Sequence, residues 1–95
     1  MSEQSAITTT ATPSIRHGFR LQWEPAQQAH VLLYPEGMVK LNGSAGEILK
    51  RCDGRRTVQE IVTDLETAFS ATGLMKDVTS FIEFAVTKNW VEIAK

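Results

Sequence analysis

The groups in this 95-residue chain that could carry chemistry are two histidines, one cysteine and a pair of glutamates at helical positions. His17 and His30 are 13 positions apart, and neither has a neighbour at the spacing of a metal site or a catalytic triad. Cys52 closes an apolar run with Ala45, Ile48 and Leu49, and no base stands near it, so it reads as a small core residue rather than a nucleophile. Glu47 and Glu60 resemble paired carboxylates. Each, however, follows a hydroxyl residue by three positions (Ser44 and Thr57), which is the S/T-x-x-E capping box of a helix start. "GRR" at 54–56 is too short for a basic patch, and "LNGSAGE" has neither of the glycine patterns that cradle phosphate. The reading is a protein with no catalytic residue, no metal site and no cofactor. It is not an enzyme.

The totals agree with a binding role. The length suits one domain with one modest core, too small to hold a buried reaction cavity as well. Ten Lys and Arg against eleven Asp and Glu leave a charge of −1, which counts against nucleic acid as a partner. A single cysteine excludes an internal disulfide. No apolar run approaches the roughly 20 residues of a membrane helix, so no membrane partner is expected. The start, "MSEQSAITTTATPS", lacks the pattern of a signal peptide, and the expected location is the cytoplasm.

Residues 1–17 are rich in Ser, Thr and Ala, and predict a flexible tail ahead of one domain over 18–95. In "FRLQWE", Phe19, Leu21 and Trp23 alternate with polar residues as in a strand with one wet face. "HVLLY" is apolar on both faces and suits the centre of a sheet. "YPEG" predicts a turn in which Gly37 closes the hairpin with a bulge, and "MVKLN" is the returning strand. Three helices follow. The first starts at the Ser44 and Glu47 box and stops at Asp53 and Gly54. The second starts at the Thr57 and Glu60 box and carries the stripe Val58, Ile61, Val62, Leu65 and Phe69. The third runs from about Lys76 to Lys88, with Asn89 as a left-handed cap before an extended "WVEI". The fold class is α+β, a winged-helix-like domain of three antiparallel strands followed by three α-helices.

Two features point to a docking surface. The apolar side chains of the second helix span about 120°, whereas those of the third spread over roughly 200°, more than one core requires. That surplus is covered by "WVEI", by a second subunit in a homodimer, or by a guest. "MVKLN" is the last strand of its sheet and carries only Lys40 as protection, so its unpaired main-chain groups suit β-augmentation by a peptide.

"RLQWE", "HVLLYPEGMVKLN", "ILKRCDGRRTV" and "DVTSFIEFAV" together closely resemble the PqqD family of pyrroloquinoline quinone biosynthesis, over residues 18–93. The resemblance implies a peptide chaperone with the recognition-element fold of ribosomally made, post-translationally modified peptides. It implies binding of the precursor peptide PqqA, added as a strand and packed on the third helix. It further implies presentation to PqqE, a radical S-adenosylmethionine enzyme that cross-links a Glu and a Tyr of the precursor. The residues so implied are Gly37, Met38, Val39, Lys40, Leu41 and Asn42 on the strand side. On the helix side they are Val78, Phe81, Ile82 and Ala85, with Phe84 at the margin of the set. Two positions depart from the family: Cys52 replaces a plain aliphatic residue, and "LMKD" brings Lys76 to an approach that is often more acidic. The rival classes are a DNA-binding winged helix, which the scarcity of helical cations opposes, and a structural dimerisation module.

Overall fold

A computed structural model describes residues 7–94. Strands β1 (Thr12–Ile15), β2 (Arg20–Glu24), β3 (Ala29–Tyr34) and β4 (Gly37–Lys40) come first. Helices α1 (Gly43–Lys50), α2 (Val58–Ala68) and α3 (Met75–Thr87) follow, and β5 (Val91–Ala94) ends the described chain. β2, β3 and β4 form an antiparallel sheet with β3 in the centre, as the two-faced apolar pattern of "HVLLY" predicts. Gly37 pairs directly opposite Tyr34, so the hairpin closes on Pro35 and Glu36 alone, without the expected bulge.

One face of this sheet carries Leu21, Leu32, Val39 and Leu41, and it covers the helices. Leu32, Leu49, Ile61 and Ile82 are fully buried at the centre of the core. The α2 stripe is buried through Leu65, but Phe69 is 55 % exposed. It falls at the helix C-cap, where the backbone has left helical geometry and no longer aims the side chain at the core. Asn89 takes a left-handed φ of 63°, and behind it Trp90 donates to the Ala85 carbonyl and Asn89 to that of Val86. That pair of bonds is the Schellman ending of α3.

Two further expectations need correction. The cap of α1 is Asn42, whose Oδ1 accepts the Ala45 N–H at 2.8 Å; Ser44 lies inside the first turn. Glu47 does not reach back to the cap, because its carboxylate is held by Arg51 one turn later at 2.7 Å. The capping box at Thr57 and Glu60, by contrast, is complete in both directions.

The second correction concerns the N-terminal segment. The first six residues lie outside those described, but 12–15 are not a tail: β1 pairs with β5 from Thr12↔Ala94 to Ile15↔Val91. The segment also satisfies helix-start donors that nothing local could reach. Val58 N–H donates to the Ala11 carbonyl at 2.9 Å, and Gln59 N–H to that of Thr9 at 3.0 Å. Gly54 N–H donates to the Pro13 carbonyl at 2.9 Å, and Pro13 itself is fully buried.

Arg51 links the first two helices. Its guanidinium bonds the Glu47 carboxylate, the Glu47 carbonyl at 3.0 Å and the Asp64 carboxylate on α2, with the side chain only 11 % exposed. The hydrogen bond from Arg51 draws the Glu47 and Asp64 carboxyls below their ordinary values. Asp53 is also lowered, because it accepts the backbone N–H groups of Arg56 and Arg55. Among the described residues, no helix is long and apolar enough to cross a membrane.

Three outcomes follow. In urea titrations, Asn42→Ala should cost about 1 kcal/mol, while Ser44→Ala should stay within about 0.5 kcal/mol. Deleting residues 1–17 should lower the melting temperature by at least about 5 °C, since β5 and the start of α2 lose their partners. Carboxyls with lowered folded-state values stabilise the fold above the ordinary carboxylate range and lose that contribution as pH falls. Melting temperature should therefore drop below about pH 4, and Arg51→Met should flatten that drop.

Candidate functional site

Hydrogen-bond parity in the sheet decides which groups of β4 are free. In an antiparallel pair, residues facing each other alternate between exchanging both main-chain bonds and exchanging none. Leu41 N–H donates to the His30 carbonyl at 3.0 Å, so His30 and Leu41 form a bonded pair. By the observed register, Leu32↔Val39 and Tyr34↔Gly37 are then also bonded pairs. The N–H and C=O groups of Met38 and Lys40 consequently point away from β3, out of the sheet. β4 has no neighbour on that side among the described residues. The predicted strand site is thus an open edge two residues long, with Val39 as the inward residue between its two outward ones.

The side chains follow the same alternation. Val39 and Leu41 lie on the core face, Leu41 buried and Val39 half-buried. Met38 and Lys40 lie on the outer face, where Met38 is 55 % exposed opposite Leu33. Asn42 stands apart: its side chain caps α1, and its carbonyl accepts the Gly46 N–H at 3.0 Å.

On α3 the structure divides the residues singled out from the sequence. Val78, Ile82 and Ala85 are buried in the core, with almost none of their side-chain surface open. Phe81 is half-buried at the margin of the core cluster that also receives Val39. Phe84 is 47 % exposed. It packs edge-on to Trp90 with ring centroids 5.5 Å apart, lies 6.3 Å from Phe81, and has the Lys88 ammonium over its ring at 5.7 Å. Part of the surplus apolar face of α3 is therefore taken by the C-terminal segment, with Trp90 on Phe84 and β5 against the helix. What remains open is the flank carrying Phe81 and Phe84.

The reactive candidates have structural occupations. The Cys52 thiol is buried and bonds the Ile48 carbonyl at 3.3 Å; burial, with Asp53 nearby, pushes its pKa up to about 12. His30 packs between α1 and Trp23, whose ring meets it edge-on at 5.1 Å. Gly46 makes that possible, since a Cβ there would stand 2.6 Å from the His30 Nδ1. The sequence reading assigned Gly46 no role, although a glycine inside a helix is the signal of a close approach. Among the described residues, no three His, Cys, Asp or Glu side chains gather as a metal site would require. Arg51, one of the few helical cations, is spent on Glu47 and Asp64.

Comparison with known proteins gives a consistent result. The family model of coenzyme PQQ synthesis protein D (PqqD) matches residues 29–91. A protein of Stutzerimonas stutzeri named PqqA binding protein is 53 % identical over 90 residues, covering 94 % of this chain and 98 % of its own. A Pseudomonas aeruginosa protein of the same name is 55 % identical over 84 residues, covering 87 % of this chain and 91 % of its own. In structure, the chain is similar to the PqqD truncation of Methylobacterium extorquens PqqCD, solved by NMR as a functional, stand-alone recognition element of ribosomally synthesized and post-translationally modified peptides. The TM-score is 0.71 at 28 % identity, over 92 % of this chain and 95 % of that one. With the winged-helix-like order of sheet and helices in place, the chain belongs to the PqqD family.

Proposed function

We propose that this protein binds the precursor peptide PqqA as an added strand on β4 and presents it to the radical S-adenosylmethionine enzyme PqqE in the cytoplasm. The names of its close relatives support PqqA as the guest. The observation that carries the mode of binding is the outward direction of the Met38 and Lys40 main-chain groups on an edge with no neighbour among the described residues. A guest strand supplies the missing partners, so affinity comes from the backbone and tolerates many sequences. Selectivity comes from alternate guest side chains. Those on the inner side meet Val39 and the Phe81 and Phe84 flank of α3; those on the outer side meet Met38. The protein works by holding a chain in extended form. The chemistry belongs to its enzyme partner.

Proline substitution separates the two kinds of edge residue, because it deletes one main-chain N–H, and Lys40→Ala, which loses the ammonium but keeps the N–H, serves as the control. Lys40→Pro removes an outward donor and should weaken PqqA binding by about tenfold or more (~1.4 kcal/mol) while melting stays near the parent value. Val39→Pro removes an inward donor to β3 and should destabilise the sheet itself. Calorimetric titration with PqqA and thermal melts read both. Parental PqqA affinity in a folded Lys40→Pro protein would exclude strand addition on β4. Co-elution of PqqE with the PqqA-loaded protein, and its loss when PqqA is left out, tests presentation.

A further inference from the structure

Beside the end of β4 lies an apolar cleft that the main-chain reading leaves without a use. Its volume is about 410 Å³, and its floor is Ile48, Leu65, Leu74 and Val78, from α1, α2 and the start of α3. Phe69, half-exposed at the end of α2, forms one wall. Ser44, Glu47 and Asp77 stand at the rim.

We propose that this cleft takes one large apolar side chain of the guest peptide, two to four residues beyond the segment paired with β4. The proposal rests on strand addition at β4 and names what lies past it. Continuity is the first argument. Gly43 and Ser44, at the mouth of the cleft, follow Lys40 by only three and four residues, which is about 10 Å of extended chain to Gly43. β4 stops there because Asn42 turns the host chain into α1. A guest running past Lys40 therefore runs out of backbone to pair with, at the place where an apolar cavity begins. Anchoring there continues the binding by another means.

The second argument is chemical. The floor and wall present only hydrocarbon, and a cavity of this volume falls in the range of small-ligand pockets. Leu, Ile or an aromatic ring suits it. Among the described residues no cation lines it, while Asp77 and Glu47 are on the rim, and Glu47 alone is neutralised by Arg51. The residue adjoining the anchor is therefore basic or uncharged, and an acidic neighbour is disfavoured. The cleft thereby fixes register. Main-chain bonds alone let a strand slip by two residues, whereas a single seated side chain does not.

The test uses the full chain and the PqqA peptide. Ser44→Trp places a ring in the mouth from an exposed helix position, and Phe69→Ser removes the wall from a residue outside the core. Binding to PqqA should weaken at least tenfold for the first and several-fold for the second. At saturating peptide, the Met38 and Lys40 amides should still shift and gain exchange protection. Single alanine substitutions of each Leu, Ile, Phe, Tyr and Trp of PqqA, crossed with Phe69→Ser, should find one position whose loss is not additive with the lost wall. Parental affinity in both protein variants, or additivity at every peptide position, overturns the anchor while leaving strand addition standing. Silence of the Met38 and Lys40 amides in the unsubstituted protein removes strand addition and the anchor with it.

Discussion

The bond from Leu41 N–H to the His30 carbonyl sets the parity of the sheet, and much of what the surface offers follows from it. β3 spends its main-chain groups on both neighbours, as a central strand must. β4 spends half of its own on β3 and holds the other half outward at Met38 and Lys40. Shifting the pairing by one residue would turn Val39 out of the core and Met38 into it, so the hydrophobic pattern and the direction of the free amides are one constraint. Leu41 is the last residue to satisfy both, being buried and bonded. Immediately after it, Asn42 begins the helix.

The helices are held to this sheet by contacts made far apart in the chain. Arg51 ties α1 to α2 by bonds to Glu47 and Asp64 in a half-buried setting, where leaving one partner unpaired is costly. The N-terminal segment crosses from β5 to the start of α2 and accepts donors that the helix cannot satisfy itself. Gly46 lets α1 approach β3 closely enough for His30 to fill the gap. None of these touches β4's free edge. Together they hold the frame in which that edge can stay short of a partner without the sheet fraying.

The strand alternation, the hairpin, the apolar stripes of all three helices and the caps at Thr57 and Asn89 were legible in the sequence, because each rests on neighbours within a few residues. Where the reading failed, the deciding partner was remote or two local signals competed. Asn42 and Ser44 are both capping residue types two positions apart, and the choice fell to where β4 stops pairing. Glu47 could serve a cap or an i+4 cation, and Arg51 claimed it. "TPSI" carries no period that would mark a strand; its order comes from partners about 40 to 80 positions away, at Gly54, α2 and β5. Periodicity on α3 marked the core face, with Val78, Ile82 and Ala85, and an apolar surplus beyond it that includes Phe81 and Phe84, but not which part of that surplus Trp90 and β5 cover. A helix pattern reports what is buried. It says nothing of which border of the buried face is left open.

The single charge on β4 belongs to Lys40, whose main-chain groups also face outward. An open edge of this kind can pair with the same edge of another copy, and two such strands meeting side by side would begin an aggregate. Antiparallel meeting of two copies centred on this residue would set ammonium against ammonium on a shared face, an arrangement that like charges disfavour. Lys40 thus has the position and charge of a gatekeeper on this edge. It lets the protein carry a permanently unfinished sheet in solution, with self-recognition as the error its charge discourages.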